Sequence, residues 1–298
     1  MICTIPLRRL FLSMLAATSL ALPILAGSAE PDTVTIEANK ERELERQISK
    51  FVAGAVFTYM NDSLERWNTP VCPLVAGLPK ERGEFVLGRV SEIARDAHAP
   101  LGSEHCKPNL YIVVSENPDD LLKKWSKRDV SLFNTCNGMG YVREFMHSRQ
   151  PVRAYYNARF SSEGADNNAD FLELQGLRFD FSANPCMASG GMDTRLRYGA
   201  VQKLTSVIVV VDSRQTTNIN MGQLADYIGM VGLAQIRVEA NTGTAPTILS
   251  IFRQPHPQLA GLSPWDKAFL HSLYTTDQAS TLEVTMIKRH MFEQIVGR

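Results

Sequence analysis

Few residues of this chain have the type and spacing that chemistry requires. The stretch MGQLADYIGMVGLA (Met221–Ala234) carries one acidic side chain, Asp226. Six histidines are scattered along the chain, and no two stand at the spacing of metal ligands on one helix: His98, His105, His147, His256, His271 and His290. The sequence lacks a G-x-S-x-G elbow, a P-loop and a G-x-G-x-x-G turn. It therefore gives no direct sign of a serine hydrolase, a P-loop nucleotidase or a dinucleotide enzyme.

Residues 1–29 have the pattern of a secretory signal. Two arginines precede an apolar run at 11–22, and small residues lead up to Ala29. We expect cleavage after Ala29, which leaves a secreted or periplasmic domain of residues 30–298. The alternative, a membrane anchor, is disfavoured because the run is short and is followed by Pro23. No later stretch is long and apolar enough to span a bilayer, so we expect no stable membrane insertion after cleavage.

The charge of the mature chain is close to balanced. The full sequence has 31 basic and 31 acidic residues, and loss of Arg8 and Arg9 leaves a net charge near −2. A domain without an excess of positive charge is unsuited to nucleic acid or to a polybasic contact with lipid. We expect no nucleic-acid partner and no cofactor.

Four cysteines remain after cleavage: Cys72, Cys106, Cys136 and Cys186. In an exported protein an even count predicts disulfides, here two, and four cysteines allow three pairings. Zinc ligation is the rival interpretation. It is disfavoured because the chain contains no C-x-x-C pair.

Hydrophobic periodicity predicts a mixed set of elements. Helices are expected at 37–57, 79–98, 117–129, 221–234, 263–276 and 280–296, and strands at 108–115, 149–161 and 206–212. The segment 195–205 is either a hairpin partner of the last strand or a short helix. GMGY at 138–141 is expected to be a loop, and 161–193 a polar surface insertion tied down by Cys186. This order predicts an α+β fold: one mixed domain with a central β-sheet and a helical C-terminal part.

Two of the predicted helices have recognisable apolar faces. In 79–98 the stripe consists of Phe85, Val86, Val90 and Ile93. In 221–234 one apolar side is formed by Leu224, Tyr227, Ile228, Val231 and Leu233, and Asn218 or Asn220 is placed to cap the start.

The pairing of the first two cysteines can be predicted from topology. The order extended VCPLV, helix 79–98, strand 108–115 indicates a β-α-β unit, whose two strands run parallel. Cys72 and Cys106 then lie at the same end of neighbouring strands, within disulfide reach. We therefore expect Cys72–Cys106, which leaves Cys136–Cys186. Because Pro73 has no N–H, VCPLV is at most an edge strand.

The C-terminal third resembles the matrixin branch of the metzincins, a class of zinc peptidases. On that pattern Gly222-Gln223-Leu224-Ala225-Asp226 takes the place of the zinc-binding helix, and Gly229 that of the glycine at which the chain turns. TILSIF (Thr247–Phe252) takes the place of the Met-containing turn, and LSPWDKAFLHSLY (Leu262–Tyr274) resembles the closing helix. The same region is similar to a family of secreted bacterial proteins of unknown function. The resemblance covers Met221 to Thr275 and implies a zincin-like part at about 206–298.

The chemistry of the metzincin pattern is absent from these positions. The ligand positions hold Gly222, Asp226 and Gly232, and the position of the general base holds Gln223. Glycine offers no side-chain ligand, and an amide cannot take a proton from water. The resemblance therefore implies a non-catalytic scaffold for binding or assembly, with a protein or peptide ligand. The alternative is a metal-dependent hydrolase with a non-standard site, for example around Asp226 and His271.

Overall fold

The structure, a computed structural model, describes residues 31–56, 63–128, 133, 138–162, 171–174, 177–180, 193–237, 239–253 and 259–297. The chain divides into two compact units, Met1–Asn39 and Lys40–Arg298. Of the first unit the described residues, from Pro31 on, are helical. The features below belong to the second unit. The predicted signal and its cleavage after Ala29 lie outside the described residues.

The elements follow one another in the order helix, mixed strands and helices, then helices. The helices are α1 (Pro31–Ala55), α2 (Lys80–Asp96), α3 (Pro118–Arg128), α4 (Met139–His147), α5 (Met221–Leu233), α6 (Pro264–Thr275) and α7 (Glu283–Val296). The strands are β1 (Pro73–Ala76), β2 (Leu110–Ser115), β3 (Val152–Ser162), β4 (Phe171–Leu174), β5 (Leu177–Asp180) and β6 (Ala200–Asp212). This confirms the predicted α+β class.

The main sheet has four strands in the order β1-β2-β6-β3. β1, β2 and β6 are parallel, and β3 is antiparallel to β6. Alternate residues of β6 enter different cores, because successive side chains of a strand point to opposite faces. Val207 and Val209 pack with α1, α2, α5, α6 and α7, whereas Ile208 and Val210 pack with α3 and α4. The sheet is thus covered on both faces, and the larger core lies on the side of α5.

The β-α-β unit and its disulfide are confirmed. β1 pairs in parallel with β2 after the crossover through α2, and Cys72 is bonded to Cys106 with a Cα–Cα distance of 5.9 Å. β1 is an edge strand, as Pro73 requires. Cys136 and Cys186 lie outside the described residues, so their pairing stays a prediction.

Three local predictions are wrong. Most of 195–205 is neither a hairpin partner nor a helix, because β6 starts at Ala200 and its first half pairs with the end of β3. GMGY is not a loop: Gly138, with φ of 87°, precedes α4, which begins at Met139 and buries Phe145. Phe85 is not part of the buried stripe of α2, since it is 49% exposed while Val86 is fully buried.

The polar insertion lies largely outside the described residues. Within it, β4 and β5 form a two-stranded antiparallel sheet. Among the helices that the structure describes, none combines the length and apolar character needed to cross a bilayer.

Candidate functional site

The helix singled out in the sequence is α5, and its start is fixed by its own residues. The side chain of Asn220 accepts a hydrogen bond from the backbone N–H of Gln223, and Gln223 Oε1 accepts one from the backbone N–H of Asn220. This reciprocal pair is a capping box, which satisfies two N–H groups that a helix start leaves open. Burial then extends round most of α5, including Ala225 and Met230. Leu224, Ile228, Val231 and Leu233 of the predicted apolar side are buried as expected, and the further buried residues make α5 a central helix.

The polar side chains at the peptidase positions, Gln223 and Asp226, make structural hydrogen bonds. Gln223 also donates from Nε2 to the carbonyl of Leu259 at 2.5 Å. The carboxylate of Asp226 accepts from Arg89 Nε at 2.5 Å, from Arg89 Nη2 at 3.2 Å and from the backbone N–H of Leu262 at 2.7 Å. Its side chain is 5% exposed, whereas that of Arg89 is 28% exposed. The hydrogen bond from Arg89 to Asp226 raises the pKa of the guanidinium. Asp226 therefore joins α5 to α2 and to the segment before α6.

Two glycines of α5 serve close packing. The helix does not turn at Gly229 but continues to Leu233, so the expected chain turn at Gly229 is absent. A Cβ on Gly229 would lie 2.5 Å from Cδ1 of Ile93, and one on Gly232 would lie 3.1 Å from Cδ2 of Leu110. The first value is well below ordinary contact between carbon atoms, and the second is a few tenths of an ångström below it. A larger side chain at Gly229 therefore requires the terminal methyl of Ile93 to move, and one at Gly232 is crowded by Leu110 of β2.

The segments predicted to follow α5 in the metzincin order are tied together by a buried carboxylate. Asp266, fully buried near the start of α6, accepts from Thr247 Oγ1 at 2.5 Å and from the backbone N–H of Ile248 at 2.9 Å. Its Oδ2 also accepts from the backbone N–H of Ser263, the N-cap of α6. Burial raises the pKa of Asp266, although these hydrogen bonds oppose the shift. TILSIF therefore contains a short 3₁₀ helix at Ile248–Ser250 that is anchored on α6.

A cleft borders the Asp226–Arg89 pair, and we name it the α2–α6 cleft. Its volume is 280 Å³, and it is lined by Arg89, Glu92, Ile93, Asp96, Ala97, Leu262, Lys267, Leu270, His271 and Gln294. Side chains of both charges stand around a partly apolar wall. Such a mixture suits a peptide, which carries apolar and charged groups on one chain.

The fold brings together histidines that are far apart in sequence. The rings of His98 and His271 are in edge contact with centroids 4.9 Å apart. Burial lowers the pKa of His271, and the neighbouring His98 and His290 lower it further. Nδ1 of His271 lies 2.9 Å from Nε2 of Gln294, and His290 contacts Thr276. Within the described residues, no group of three or more His, Cys, Asp or Glu side chains is placed to hold a metal ion.

Asp226 and His271 belong to the same region of the molecule. Arg89 and Leu262, which bind Asp226, line the cleft with His271. The carboxylate of Asp226 is directed to those two donors. A hydrolase centred on this pair would require breaking the Arg89–Asp226 ion pair first.

His98 occupies a special position that was not predicted from the sequence. Its φ is 62°, in the left-handed region that glycine adopts more readily. The backbone N–H of Ala99 donates to Ala94 and that of His98 to Arg95, which is the Schellman pattern at the end of α2. Glycine is the usual residue at this place, so histidine there carries a conformational cost. The sequence signal would have been a helix end without a glycine.

Comparisons of the chain with protein-family models, with curated proteins and with solved structures found no match. The resemblance to metzincins over Met221–Thr275 therefore has no support beyond the residues that suggested it.

Proposed function

We propose that this chain is an exported, non-catalytic binding protein whose ligand is a protein or a peptide. The observation that carries the proposal is the use of Gln223 and Asp226. On the metzincin pattern these residues take the positions of the base and of a ligand, and both side chains make hydrogen bonds that hold α5 in the fold. A carboxylate that accepts three hydrogen bonds from the protein is a structural element rather than a ready ligand for a metal.

Export is supported by two independent features. The N-terminal sequence has the signal pattern that ends at Ala29. The bond between Cys72 and Cys106 is of the kind that persists in oxidising compartments. A secreted or periplasmic location fits both features.

The α2–α6 cleft is the proposed binding place for the ligand. The half-buried Leu262 contributes apolar surface to the cleft, and Lys267 is an exposed cation on its rim. Glu92 and Asp96 supply negative charge on the opposite wall. A peptide with one apolar side chain flanked by charged residues is complementary to this arrangement.

The test combines selection of peptides with an assay of hydrolysis. Phage-displayed peptides would be selected on the immobilised mature protein, and binding of the selected peptides measured by fluorescence anisotropy. We expect Lys267→Glu to weaken binding of peptides with an acidic flank by about tenfold, which corresponds to about 1.4 kcal/mol. Lys124→Glu is the matched control, because Lys124 is an exposed lysine on α3, away from the cleft. It should leave binding unchanged.

Two results would contradict the proposal. One is cleavage of the selected peptides, or of casein, by the mature protein with loss of activity on chelation of metal. The other is equal weakening by Lys124→Glu and Lys267→Glu, since this would place the ligand outside the cleft.

A further inference from the structure

The outer edge of β1 is open. β1 is the first strand of the main sheet, and within the described part of the chain it has a neighbouring strand on the side of β2 alone. An edge strand presents unpaired N–H and C=O groups, which form a template for another extended chain. The sequence of β1 is Pro-Leu-Val-Ala, so it carries none of the charged side chains that commonly block such an edge. The edge is therefore a candidate surface for strand pairing.

The hydrogen bonds just before β1 show which backbone groups face outward. The carbonyl of Cys72 accepts from the N–H of Leu110, the first residue of β2. Val71 bonds in the opposite direction: its N–H donates to the carbonyl of Pro100, and its carbonyl accepts from the N–H of Gly102. Backbone groups of successive residues in a strand point alternately to its two edges. The odd-numbered residues of this stretch therefore turn their backbone groups away from β2.

The open edge extends from Pro73 to Gly77. By the same alternation it presents the carbonyl of Pro73, the N–H and carbonyl of Val75, and the N–H of Gly77. Pro73 has no N–H to offer, which a strand tolerates on the edge that faces solvent. Gly77 has a φ of 83° and ends the strand. Val75 is thus the centre of the edge, with one outward group of each kind.

The outward groups of this edge are complementary to themselves. When two copies of β1 run antiparallel about a two-fold axis at Val75, the two Val75 residues exchange both N–H···O bonds. In this register Gly77 lies opposite the partner's Pro73, so a donor meets a carbonyl acceptor. The pairing ends there, because Pro73 lacks a second bonding group and the chain turns away at Gly77. The same pattern serves both strands equally, as a two-fold interface requires.

Apolar side chains flank the edge on both faces of the sheet. Leu74 is 44% exposed, although its register partner Tyr111 packs against the core of α3 and α4. On the other face Val75 lies against α2, since a Cβ on Gly83 would be 3.8 Å from its Cγ1. Leu87, one turn after Gly83 on the same helix face, is 40% exposed. Pairing of two edges would remove apolar surface from water above and below the strands.

The charges beside the edge suit a second copy of the chain. On the side of α2 next to β1, Lys80 and Glu84 are both exposed and form an ion pair at 3.8 Å. This face of the helix is therefore electrically neutral, and two copies of it do not repel one another. A neutral, apolar and self-complementary edge favours its own copy over a strongly charged partner.

We propose that β1 pairs with β1 of a second copy of this chain about a two-fold axis, so that the main sheet continues through both protomers. The dimer leaves the α2–α6 cleft open, because Arg89, Glu92 and Asp96 line that cleft from the other side of α2. The proposal is thus independent of the proposed peptide ligand.

Sedimentation equilibrium of the mature, disulfide-bonded protein measures the association. We expect a dimer with a Kd below about 10 μM. Leu74→Lys places a charge at the edge and should weaken the dimer about tenfold or more. Leu282→Lys is the matched control, because Leu282 is 55% exposed and precedes α7, which borders the α2–α6 cleft through Gln294. It should leave the Kd unchanged, and circular dichroism checks that both variants fold.

A mixing experiment tests the register and the identity of the partner. In the two-fold register Leu74 lies opposite the partner's Ala76, with Cα atoms about 4.5 Å apart, which is within disulfide reach. Leu74→Cys and Ala76→Cys proteins should therefore form a disulfide-linked dimer when they are mixed under mild oxidation, and much less when each is alone.

Four results would overturn the proposal. They are a mature protein that stays monomeric up to about 100 μM, a Leu74→Lys variant that dimerises like the wild type, equal weakening by Leu282→Lys, and a mixture of the cysteine variants that cross-links no better than either alone. A monomer that instead captures an extended peptide at β1 would assign the edge to a foreign strand.

Discussion

Replacement of Gly229 by alanine tests the packing of α5 against α2. In an exposed helix interior, glycine to alanine stabilises a protein by about 0.5–1 kcal/mol. At Gly229 the new Cβ would lie 2.5 Å from Cδ1 of Ile93, a side chain that is 3% exposed. Overpacking of this kind costs about 1–3 kcal/mol. We therefore expect Gly229→Ala to lower the free energy of unfolding by up to about 2 kcal/mol.

The chain offers a matched control and a rescue for this change. Gly88 lies within α2 and has no heavy atom within 4 Å of an added Cβ, so Gly88→Ala should stabilise by about 0.5–1 kcal/mol. Ile93→Val removes Cδ1, the atom that the new Cβ would meet, at a cost of about 0.5–1.5 kcal/mol by itself. The double variant Gly229→Ala/Ile93→Val should therefore be more stable than the sum of the single changes by about 1 kcal/mol or more.

Urea unfolding of the mature protein measures all of these free energies. Circular dichroism and tryptophan fluorescence must give coincident transitions, so that a two-state analysis applies. The reasoning is refuted if Gly229→Ala stabilises the protein as much as Gly88→Ala does. It is also refuted if the double variant shows no coupling, because the contact with Ile93 would then not limit the approach of α5.

Three other predictions concern stability. Replacing both Cys72 and Cys106 by alanine should lower the free energy of unfolding by about 3–4 kcal/mol, because the disulfide closes a loop with a sequence separation of 34 residues. Urea unfolding measures this loss, and a loss below about 1 kcal/mol would contradict the prediction. Burial raises the pKa of Glu283 to about 7 from 4.5, so its stabilising contribution is present below about pH 4.5 and is lost as the pH rises through about 7. The free energy of unfolding of the wild type should therefore be higher at pH 5 than at pH 8 by up to roughly 3 kcal/mol. This difference should disappear in Glu283→Gln. If the variant keeps the difference, Glu283 is not its source. His98→Gly should raise the free energy of unfolding by about 1 kcal/mol in the same assay, because glycine adopts the left-handed backbone conformation of this position without strain. A lower free energy of unfolding would show that the contacts of the imidazole outweigh this strain.

Elements that depend on local pattern were predictable. The apolar run of β2 and the stripe of α2 define a β-α-β unit, and the parallel arrangement of its strands follows from general topology. The Cys72–Cys106 bond was predictable from the same topology, since both residues lie at one end of that unit. None of these steps required knowledge of a distant part of the chain.

Elements whose partners are distant in sequence were not predictable. The first half of β6 alternates weakly, and its extended state depends on pairing with the far end of β3, at Ala158–Ser162. The Arg66–Glu283 pair joins residues 217 positions apart. The start of α4 was not predicted, because Gly138 indicates a loop, whereas its positive φ directs the chain into the helix that follows. In each case tertiary structure decides between local conformations that the sequence leaves close in energy.

The candidate site shows the same division. Asp226 was evident from sequence as a lone carboxylate on an apolar helix, and burial of a charge requires a partner of opposite charge. The identity of that partner, Arg89, could not be deduced, because it lies 137 residues away on α2. The proximity of His98 to His271 was hidden for the same reason.

Packing and hydrogen bonding account for Gly229, Gly232 and Asp226, three of the residues that made α5 resemble a peptidase helix. Gly229 lets α5 approach Ile93, and Gly232 lets α5 approach Leu110. The carbonyl of Gly232 also accepts a hydrogen bond from the indole N–H of Trp67 at 2.9 Å. A histidine at Gly232 would have to displace Leu110, which is fully buried in β2. A histidine at Asp226 would leave Arg89 without its principal acceptor. The glycine and aspartate positions are therefore those that a central helix needs in order to contact a sheet and a neighbouring helix closely.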